Sequence, residues 1–156
     1  MAKRVDYYHD LAAPRANSLV VGSSAVVVDD EGRILLQRRS DSGNWALPGG
    51  AMDIGETIAE SAVREVKEET GFDVHIERIV GIYSDPAHVF AYSDGEVRQE
   101  FSICLSCTIV GGELAVSKES TDVRFVPLDE VAALTMHPSI RKRIDDYLSG
   151  GEPVLR

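Results

Sequence analysis

A glycine turn followed by a capped, acid-rich helix is the feature that most constrains the fold of this chain. The turn is Trp-Ala-Leu-Pro-Gly-Gly at residues 45–50, where a proline and two glycines end regular structure. Thr57 with Glu60 three residues later forms a capping-box pattern, and Gly71 provides a natural stop. The sequence therefore predicts a helix of about four turns between Thr57 and Gly71.

This predicted helix carries three carboxylates on one narrow face. With Glu65 as the origin of a helical wheel, Glu68 falls about 60° to one side and Glu69 about 40° to the other. Glu65 and Glu69 are like charges four residues apart, which costs a few tenths of a kcal/mol unless a cation offsets it. Mg²⁺ takes carboxylate oxygens and shares substrate phosphates. The face therefore indicates a metal site for phosphate chemistry; the alternative is a solvated acidic surface.

The charge distribution narrows the classes of partner. The 156 residues carry 16 basic and 26 acidic side chains, and twelve of these acids lie with four bases in residues 51–100. An acidic chain lacks the electrostatic footprint of a protein that binds nucleic-acid phosphates, so we expect no nucleic-acid partner. The sequence shows neither an apolar run of membrane length nor a secretory signal. We therefore expect no membrane association and a cytoplasmic location.

Strand patterns flank the helix on both sides. The predicted strands are residues 19–28, 33–39, 74–83, 87–92, 97–109 and 123–126. A small helix at 128–134 and an amphipathic helix that begins at Pro138 follow. We predict a single domain over residues 1–156, with residues 1–15 as a peripheral extension. Its fold class is α/β, with helices on both faces of a mixed β-sheet.

Cys104 and Cys107 form a CxxC pair, which in other contexts indicates zinc or redox chemistry. Here the pair lies in a run with strand periodicity, and strand residues three apart face opposite sides of a sheet. We therefore predict two reduced, packed thiols that point away from each other.

The residues around the acidic face resemble the Nudix box, G-x5-E-x7-R-E-U-x-E-E-x-G-U. Its positions are matched without a departure by Gly50, Glu56, Arg64, Glu65, Val66, Glu68, Glu69, Gly71 and Phe72. The chain is thereby identified as a member of the Nudix hydrolase family. The resemblance implies the family's α/β/α sandwich over nearly the whole chain.

The resemblance implies metal-binding roles for four box positions. Glu65 and Glu69 would be the main Mg²⁺ ligands, and Glu68 would be a further ligand, directly or through water. Gly50 would offer its backbone carbonyl. Mn²⁺ is the alternative ion.

Two further box residues and the helix stop resemble the family's structural positions. Arg64 and Glu56 would form a pair in which the planar guanidinium orients the acids and supports catalysis. Gly71 would end the helix.

The catalytic base is not settled by the box. Glu119, in the polar loop 117–120, resembles the loop glutamate that completes the metal site or activates water in some Nudix enzymes. Glu100 is the competing carboxylate, although its position beside Arg98 on the polar face of a predicted strand favours a cross-strand salt bridge that contributes little to stability.

The implied function is Mg²⁺-dependent cleavage of a diphosphate bond in a nucleoside diphosphate linked to another moiety. Nucleotide sugars, dinucleotides and nucleoside triphosphates all remain open as the small-molecule substrate. The competing hypothesis is a non-catalytic Nudix-like domain that binds a nucleotide metabolite as a sensor. Such domains usually lack some of the carboxylates, whereas all are present here. Many relatives form homodimers, so that state stays open.

Other candidates carry less weight. Trp45 is interpreted either as a base-stacking surface or as a packing anchor beside the turn. The four histidines show no ligand spacing in the sequence, and a lone histidine is more often structural or exposed: His9, His75, His88 and His137.

Overall fold

The computed structural model describes residues 3–156. In chain order its elements are β1 (Arg4–Tyr8), β2 (Ser18–Leu19), β3 (Gly22–Val28), β4 (Ile34–Arg39), β5 (Trp45–Ala46), β6 (Gly49–Ala51), α1 (Ile58–Thr70), β7 (Phe72–Tyr83), β8 (His88–Tyr92), β9 (Val97–Gln99), β10 (Ser102–Gly112), β11 (Ser120–Val126), α2 (Leu128–Val131), α3 (Pro138–Ser149) and β12 (Val154–Leu155). Met1 and Ala2, the start of the expected N-terminal extension, lie outside the described residues.

The strands of residues 3–156 form two sheets. The larger sheet has the order β11-β4-β3-β10-β7-β12, and the short strands β5 and β6 pair with β4 and β3. Its central strand β10 runs parallel to β3 and antiparallel to β7. The predicted mixed sheet is therefore confirmed. The smaller sheet has the order β1-β8-β9-β2.

Apolar side chains on the two faces of the larger sheet form separate cores. Along β3, Val26 belongs to one core and its neighbour Val27 to the other, as the twofold alternation of a strand requires. Val66 of α1 completes the core around Val27, and Ile144 of α3 completes the core around Val26. Helices therefore cover both faces, and the predicted α/β/α sandwich is confirmed.

The two cysteines follow the same alternation along β10. Cys104 packs in the core with Val26, and Cys107 packs in the core with Val27. Both thiols are free and buried. The prediction that they point to opposite sides of a sheet is confirmed.

Local signals set both ends of α1. Glu60 donates its backbone N–H to Thr57 Oγ1 at 3.1 Å, and the Glu60 carboxylate accepts the Thr57 N–H at 2.8 Å. At the other end Gly71 adopts φ 83°, where a side chain is strained. A Cβ at Gly71 would also overlap the backbone carbonyl of Glu113. The capping box and the glycine stop are therefore confirmed.

Two strands that we predicted as continuous are divided between the two sheets. The predicted strand 19–28 separates into β2 and β3, and the predicted strand 97–109 separates into β9 and β10. The two segments pass side by side from the smaller sheet to the larger one. Leu19 pairs with Gln99 in the smaller sheet, and Gly22 pairs with Ser102 in the larger one. Alternation is interrupted at both crossings, by the consecutive apolar residues Val20 and Val21 and by the consecutive polar residues 98–100. A break this short did not indicate a change of sheet.

Part of the N-terminal segment is integrated into the smaller sheet. β1 pairs antiparallel with β8 over its full length, from Arg4 opposite Tyr92 to Tyr8 opposite His88. β1 is an edge strand of that sheet. Its side chains thereby reach the cavity described below.

Candidate active site

The carboxylates of α1 differ sharply in exposure. The Glu69 residue is 6% exposed, and the Glu65 side chain is 13% exposed. The Glu68 side chain is 59% exposed. The side chains of Glu65 and Glu69 are therefore largely buried, whereas that of Glu68 is exposed to solvent beside them.

The glycine turn holds the two buried acids. Gly49 donates its backbone N–H to Glu69 Oε2 at 2.8 Å. Gly50 lies against Glu65, because a Cβ at Gly50 would stand 2.5 Å from Glu65 Oε1. Any side chain at position 50 would therefore displace the Glu65 carboxylate.

Arg64 links the acids to one another. Its Nε donates to Glu56 Oε1 at 2.7 Å and its Nη2 to Glu56 Oε2 at 3.1 Å. Its Nη1 donates to Glu65 Oε1 at 2.9 Å and to Glu68 Oε2 at 3.3 Å. Nη2 also reaches the Ala51 carbonyl at 3.1 Å. This planar fork fixes the helix face to the turn through several charge-assisted hydrogen bonds.

Burial and mutual repulsion disfavour negative charge on two of these acids. Burial raises the pKa of Glu69 to about 8, and repulsion from Glu65 adds to that effect despite the Gly49 hydrogen bond. Burial likewise raises the pKa of Glu65. In contrast, the Arg64 hydrogen bonds lower the pKa of Glu56. Arg64 thus stabilises the charged form of Glu56, whereas a bound cation would stabilise the charged forms of Glu65 and Glu69.

Glu119 lies near the same acids. It is exposed in the turn before β11, and its backbone carbonyl accepts the Ser40 N–H at 3.0 Å and the Ser40 hydroxyl at 2.9 Å. Its negative charge raises the pKa of both Glu65 and Glu69. The structure therefore places this loop acid close enough to Glu65 and Glu69 for its charge to act on both.

Glu100 forms a salt bridge with an arginine of α3. Arg98 pairs with Glu96 at 3.0 Å and leaves Glu100 to Arg143, whose Nη2 lies 3.3 Å from Glu100 Oε1. Glu100 lies at the crossing between β9 and β10, and Arg143 lies on α3. A salt bridge at Glu100 is therefore confirmed, but it joins the crossing to a helix and not two neighbouring strands.

Gln37 is a site residue that the sequence analysis missed. It is buried on β4, and its Oε1 accepts the Ser120 hydroxyl at 2.7 Å. Its side chain also favours the charged form of Glu69. The available signal was an uncharged polar residue between the apolar run 34–36 and the arginines at 38 and 39 of β4. Gln37 is hydrogen-bonded to the residue after Glu119 and lies near the buried Glu69.

A cavity of about 410 Å³ opens beside the glycine turn. Its volume lies within the range of pockets that hold small molecules. The turn, the smaller sheet and the start of α3 line it. Trp45 contributes to its wall but is only 8% exposed and belongs to a core. Trp45 is therefore a packing anchor that also borders the cavity.

The donor set on α1 fits a hard divalent cation. Mg²⁺ binds through one or two carboxylates and keeps several waters or substrate oxygens. Glu65, Glu68 and Glu69 offer carboxylate oxygens from one helix face, and Gly50 lies next to them. The only guanidinium that these acids contact, within residues 3–156, is that of Arg64, which already pairs with Glu56. The face therefore has more carboxylates than cationic partners, and a divalent cation would favour their charged forms.

Within residues 3–156 no helix combines the length and the hydropathy needed to cross a membrane.

Comparisons with known proteins agree with this geometry. Among curated relatives, the chain is 35% identical over 136 residues to a MutT-like protein from Streptomyces ambofaciens, covering 87% of this chain and 81% of the relative. It is 32% identical over 126 residues to an ADP-ribose pyrophosphatase from Methanocaldococcus jannaschii, covering 78% of this chain and 69% of that relative. Among solved structures, a NUDIX hydrolase from Nitrosomonas europaea matches with a TM-score of 0.69 at 25% identity, covering 85% of this chain and 90% of that one.

The family model for the NUDIX domain matches residues 19–147. That span includes the complete box, the glycine turn and most of both core clusters. On this match and on the relatives above, the chain belongs to the Nudix family and is a Nudix hydrolase.

Proposed function

We propose that the protein hydrolyses a diphosphate bond in a nucleoside diphosphate linked to another moiety, with Mg²⁺ as the activating ion and Mn²⁺ as its alternative. The observation that carries the proposal is the convergence of Glu65, Glu68 and Glu69 beside the glycine turn and the cavity. Relatives named as an ADP-ribose pyrophosphatase and as a putative 8-oxo-dGTP diphosphatase support this substrate class.

Each residue has a defined part in this proposal. When bound, the ion would neutralise the diphosphate and acidify the attacking water. Glu65, Glu68 and Glu69 would hold it, with the Gly50 carbonyl as a further donor, and Arg64 would keep the acids in place. These positioning interactions matter because phosphoryl transfer depends mainly on orientation and charge stabilisation.

The proposed hydrolysis needs only water and the diphosphate substrate as reactants. The water oxygen forms a bond to one phosphorus, and the bridging P–O bond breaks with its electron pair remaining on the leaving phosphate. Glu119 would accept the water proton. The products are two phosphate esters, or one ester with inorganic phosphate or pyrophosphate.

The test compares turnover of nucleoside diphosphate derivatives with Mg²⁺, with EDTA, and in Glu69→Gln. We expect turnover to fall at least about 100-fold in EDTA and in Glu69→Gln, since a site with few carboxylates depends on each of them. Glu130→Gln is the matched control, because Glu130 is an exposed glutamate on α2. Turnover that survives EDTA or Glu69→Gln would contradict the proposal. Substrate binding without turnover in the wild-type protein would favour the sensor hypothesis.

A further inference from the structure

The face of the smaller sheet that borders the cavity carries arginines laid on aromatic rings. Four residues of three neighbouring strands take part and line the cavity: Arg4 of β1, Phe90 and Tyr92 of β8, and Arg98 of β9. The guanidinium carbon of Arg4 lies over the Phe90 ring, 3.9 Å from its centroid. That of Arg98 lies over the Tyr92 ring, 4.9 Å from its centroid. Because a guanidinium is planar and stacks on aromatic faces, the sheet presents two flat cationic groups to the cavity.

One edge of the Arg4 guanidinium is already occupied. Its Nε donates to Asp6 Oδ1 at 2.5 Å, and its Nη2 donates to Asp6 Oδ2 at 3.0 Å. Arginine binds phosphate through a bidentate edge of this kind, and the carboxylate also offsets the positive charge. One face of the plane lies on Phe90, but the Arg4 side chain is still 30% exposed. The surface left for a ligand is therefore mainly the opposite face of the plane.

Arg4 is close to two different sides of the cavity. Hydrogen bonds from Arg39 lower the pKa of Asp41 to about 2, and the charge of Arg4 adds to that effect. Burial raises the pKa of Glu100, against the charges of Arg143 and Arg4. Asp41 belongs to the loop before the glycine turn, whereas Glu100 lies at the crossing between β9 and β10, and both line the cavity. A planar group bound between these two sides would therefore contact Arg4.

We propose that Arg4, supported by Phe90 and Asp6, is the surface on which the nucleobase of the substrate stacks. Unpaired bases stack on guanidinium planes as well as on aromatic rings, and every base offers a π face, so such a contact tolerates different bases. This assignment rests on the proposed function, since it locates the nucleoside of a substrate whose diphosphate lies at α1. Phe90 and Asp6 are positioning residues, because they hold the guanidinium plane.

The test compares probes that carry a base with one that lacks it. The first are adenosine and guanosine diphosphates with a methylene group in place of the bridging oxygen, which hydrolysis does not cleave, and the second is methylenediphosphonate. Calorimetry with Mg²⁺ gives their dissociation constants for the full-length protein. Arg4→Lys keeps the charge but loses the plane, so both it and Arg4→Ala should bind the base-bearing probes about 10–100-fold more weakly. Methylenediphosphonate should bind all variants alike.

Arg33→Lys is the matched control. Arg33 also pairs with a carboxylate, that of Asp29, and lies over an aromatic ring, that of Phe125. It belongs to the turn between β3 and β4, however, and not to the cavity lining among residues 3–156, so this variant should bind every probe like the wild type. Arg98→Lys changes the neighbouring guanidinium and should weaken binding of the base-bearing probes less than Arg4→Lys does.

The Nε–H proton of Arg4 reports the contact in the wild-type protein without any substitution. Its NMR signal should move upfield when a base-bearing probe binds, because the ring current of a stacked base shields a group above its face. Methylenediphosphonate should leave that signal in place, and the Nε–H signal of Arg33 should not move with any probe. An Arg4 signal that responds equally to both kinds of probe would contradict stacking.

The variants separate stacking from a simple charge effect. Affinity that is kept in Arg4→Lys but lost in Arg4→Ala would show that Arg4 acts as a point charge, and this would overturn the proposal. Equal weakening of both kinds of probe, a larger loss in Arg98→Lys, or no advantage of the base-bearing probes over methylenediphosphonate in the wild type would overturn it too. Hydrolysis of nucleoside diphosphate derivatives with unchanged probe affinity in Arg4→Lys would refute this proposal alone. Base binding that depends on Arg4, without any hydrolysis, would refute the proposed function alone.

Discussion

At the scale of single residues, neighbouring glutamates of one helix have different environments. Glu69 is buried and accepts one backbone N–H, Glu65 is held by Arg64 against Gly50, and Glu68 is largely exposed. The helical wheel predicted their common face but not this gradient, because exposure depends on where the glycine turn crosses the helix. The gradient has measurable consequences for proton binding and for turnover.

Glu69 should make the metal-free protein less stable as pH rises. Its pKa of about 8 lies above the ordinary value of 4.5, so the folded state binds this proton more tightly than the unfolded state does. The resulting stabilisation is complete below about pH 4.5 and is lost as pH rises toward about 8, with a limiting slope of about 1.4 kcal/mol per pH unit. Thermal unfolding in EDTA between pH 5 and 8 should show a decrease in Tm of several degrees.

Two controls identify the source of that decrease. Glu69→Gln removes the titrating group, so its Tm should depend less on pH than that of the wild type. Saturating Mg²⁺ should also flatten the wild-type profile at high pH, because the ion stabilises the charged carboxylate. An unchanged pH dependence in Glu69→Gln would show that other groups cause the effect.

Glu119 is our proposed general base, and its substitution should reduce kcat. A positioned base contributes about 10²–10⁴-fold, so Glu119→Gln should lower kcat by about that factor with little change in substrate affinity. Glu100→Gln should cost less than about tenfold in kcat on the same scale, because Glu100 already pairs with Arg143. Steady-state kinetics at saturating Mg²⁺ provides the measurement. A larger loss in Glu100→Gln would move the base to the crossing between β9 and β10.

At the scale of elements, α1 was predictable because its signals are local. Thr57, Glu60 and Gly71 define its ends through contacts within a few residues. The division of β2 from β3, and of β9 from β10, was not predictable from alternation, since a short break in the twofold pattern does not show that a strand changes sheets. The crossings depend on which strands pair, and pairing is set by distant parts of the chain.

The stop of α1 should be more sensitive to a side chain than the stop of α3. Gly71 and Gly150 both adopt positive φ, 83° and 66°, so alanine at either position incurs the left-handed cost of about 1–2 kcal/mol. Only at Gly71 does a Cβ also overlap backbone, that of Glu113, whereas among residues 3–156 nothing lies within 4 Å of a Cβ at Gly150. Gly71→Ala should therefore reduce the free energy of unfolding by at least about 1 kcal/mol more than Gly150→Ala. Urea unfolding of the two variants measures the difference, and equal losses would contradict the steric argument.

At the scale of the whole molecule, the carboxylate face could be predicted from the sequence, but the residues on the opposite side of the cavity could not. The box residues lie within a span of 23 positions, from Gly50 to Phe72, and their spacing on one helix already defines a common surface. The residues of the opposite wall, among them Asp6, His88 and His137, are far apart in the chain and meet only after two sheets and a helix have assembled. Gln37 of β4 likewise comes near Glu69 of α1 only in the folded chain. Sequence spacing thus predicts sites within one element, whereas sites shared among elements require the fold.

The central claim is that this Nudix hydrolase cleaves the diphosphate of a nucleoside diphosphate derivative at a divalent-cation site on α1. The most direct measurement follows the substrate by ³¹P NMR after addition of enzyme and Mg²⁺ in ¹⁸O-labelled water. The account predicts that the diphosphate resonances are replaced by those of phosphate monoesters, or of an ester with inorganic phosphate or pyrophosphate, and that one product carries the isotope shift. Diphosphate resonances that broaden on binding but persist in the presence of Mg²⁺, across nucleotide sugars, dinucleotides and nucleoside triphosphates, would contradict it.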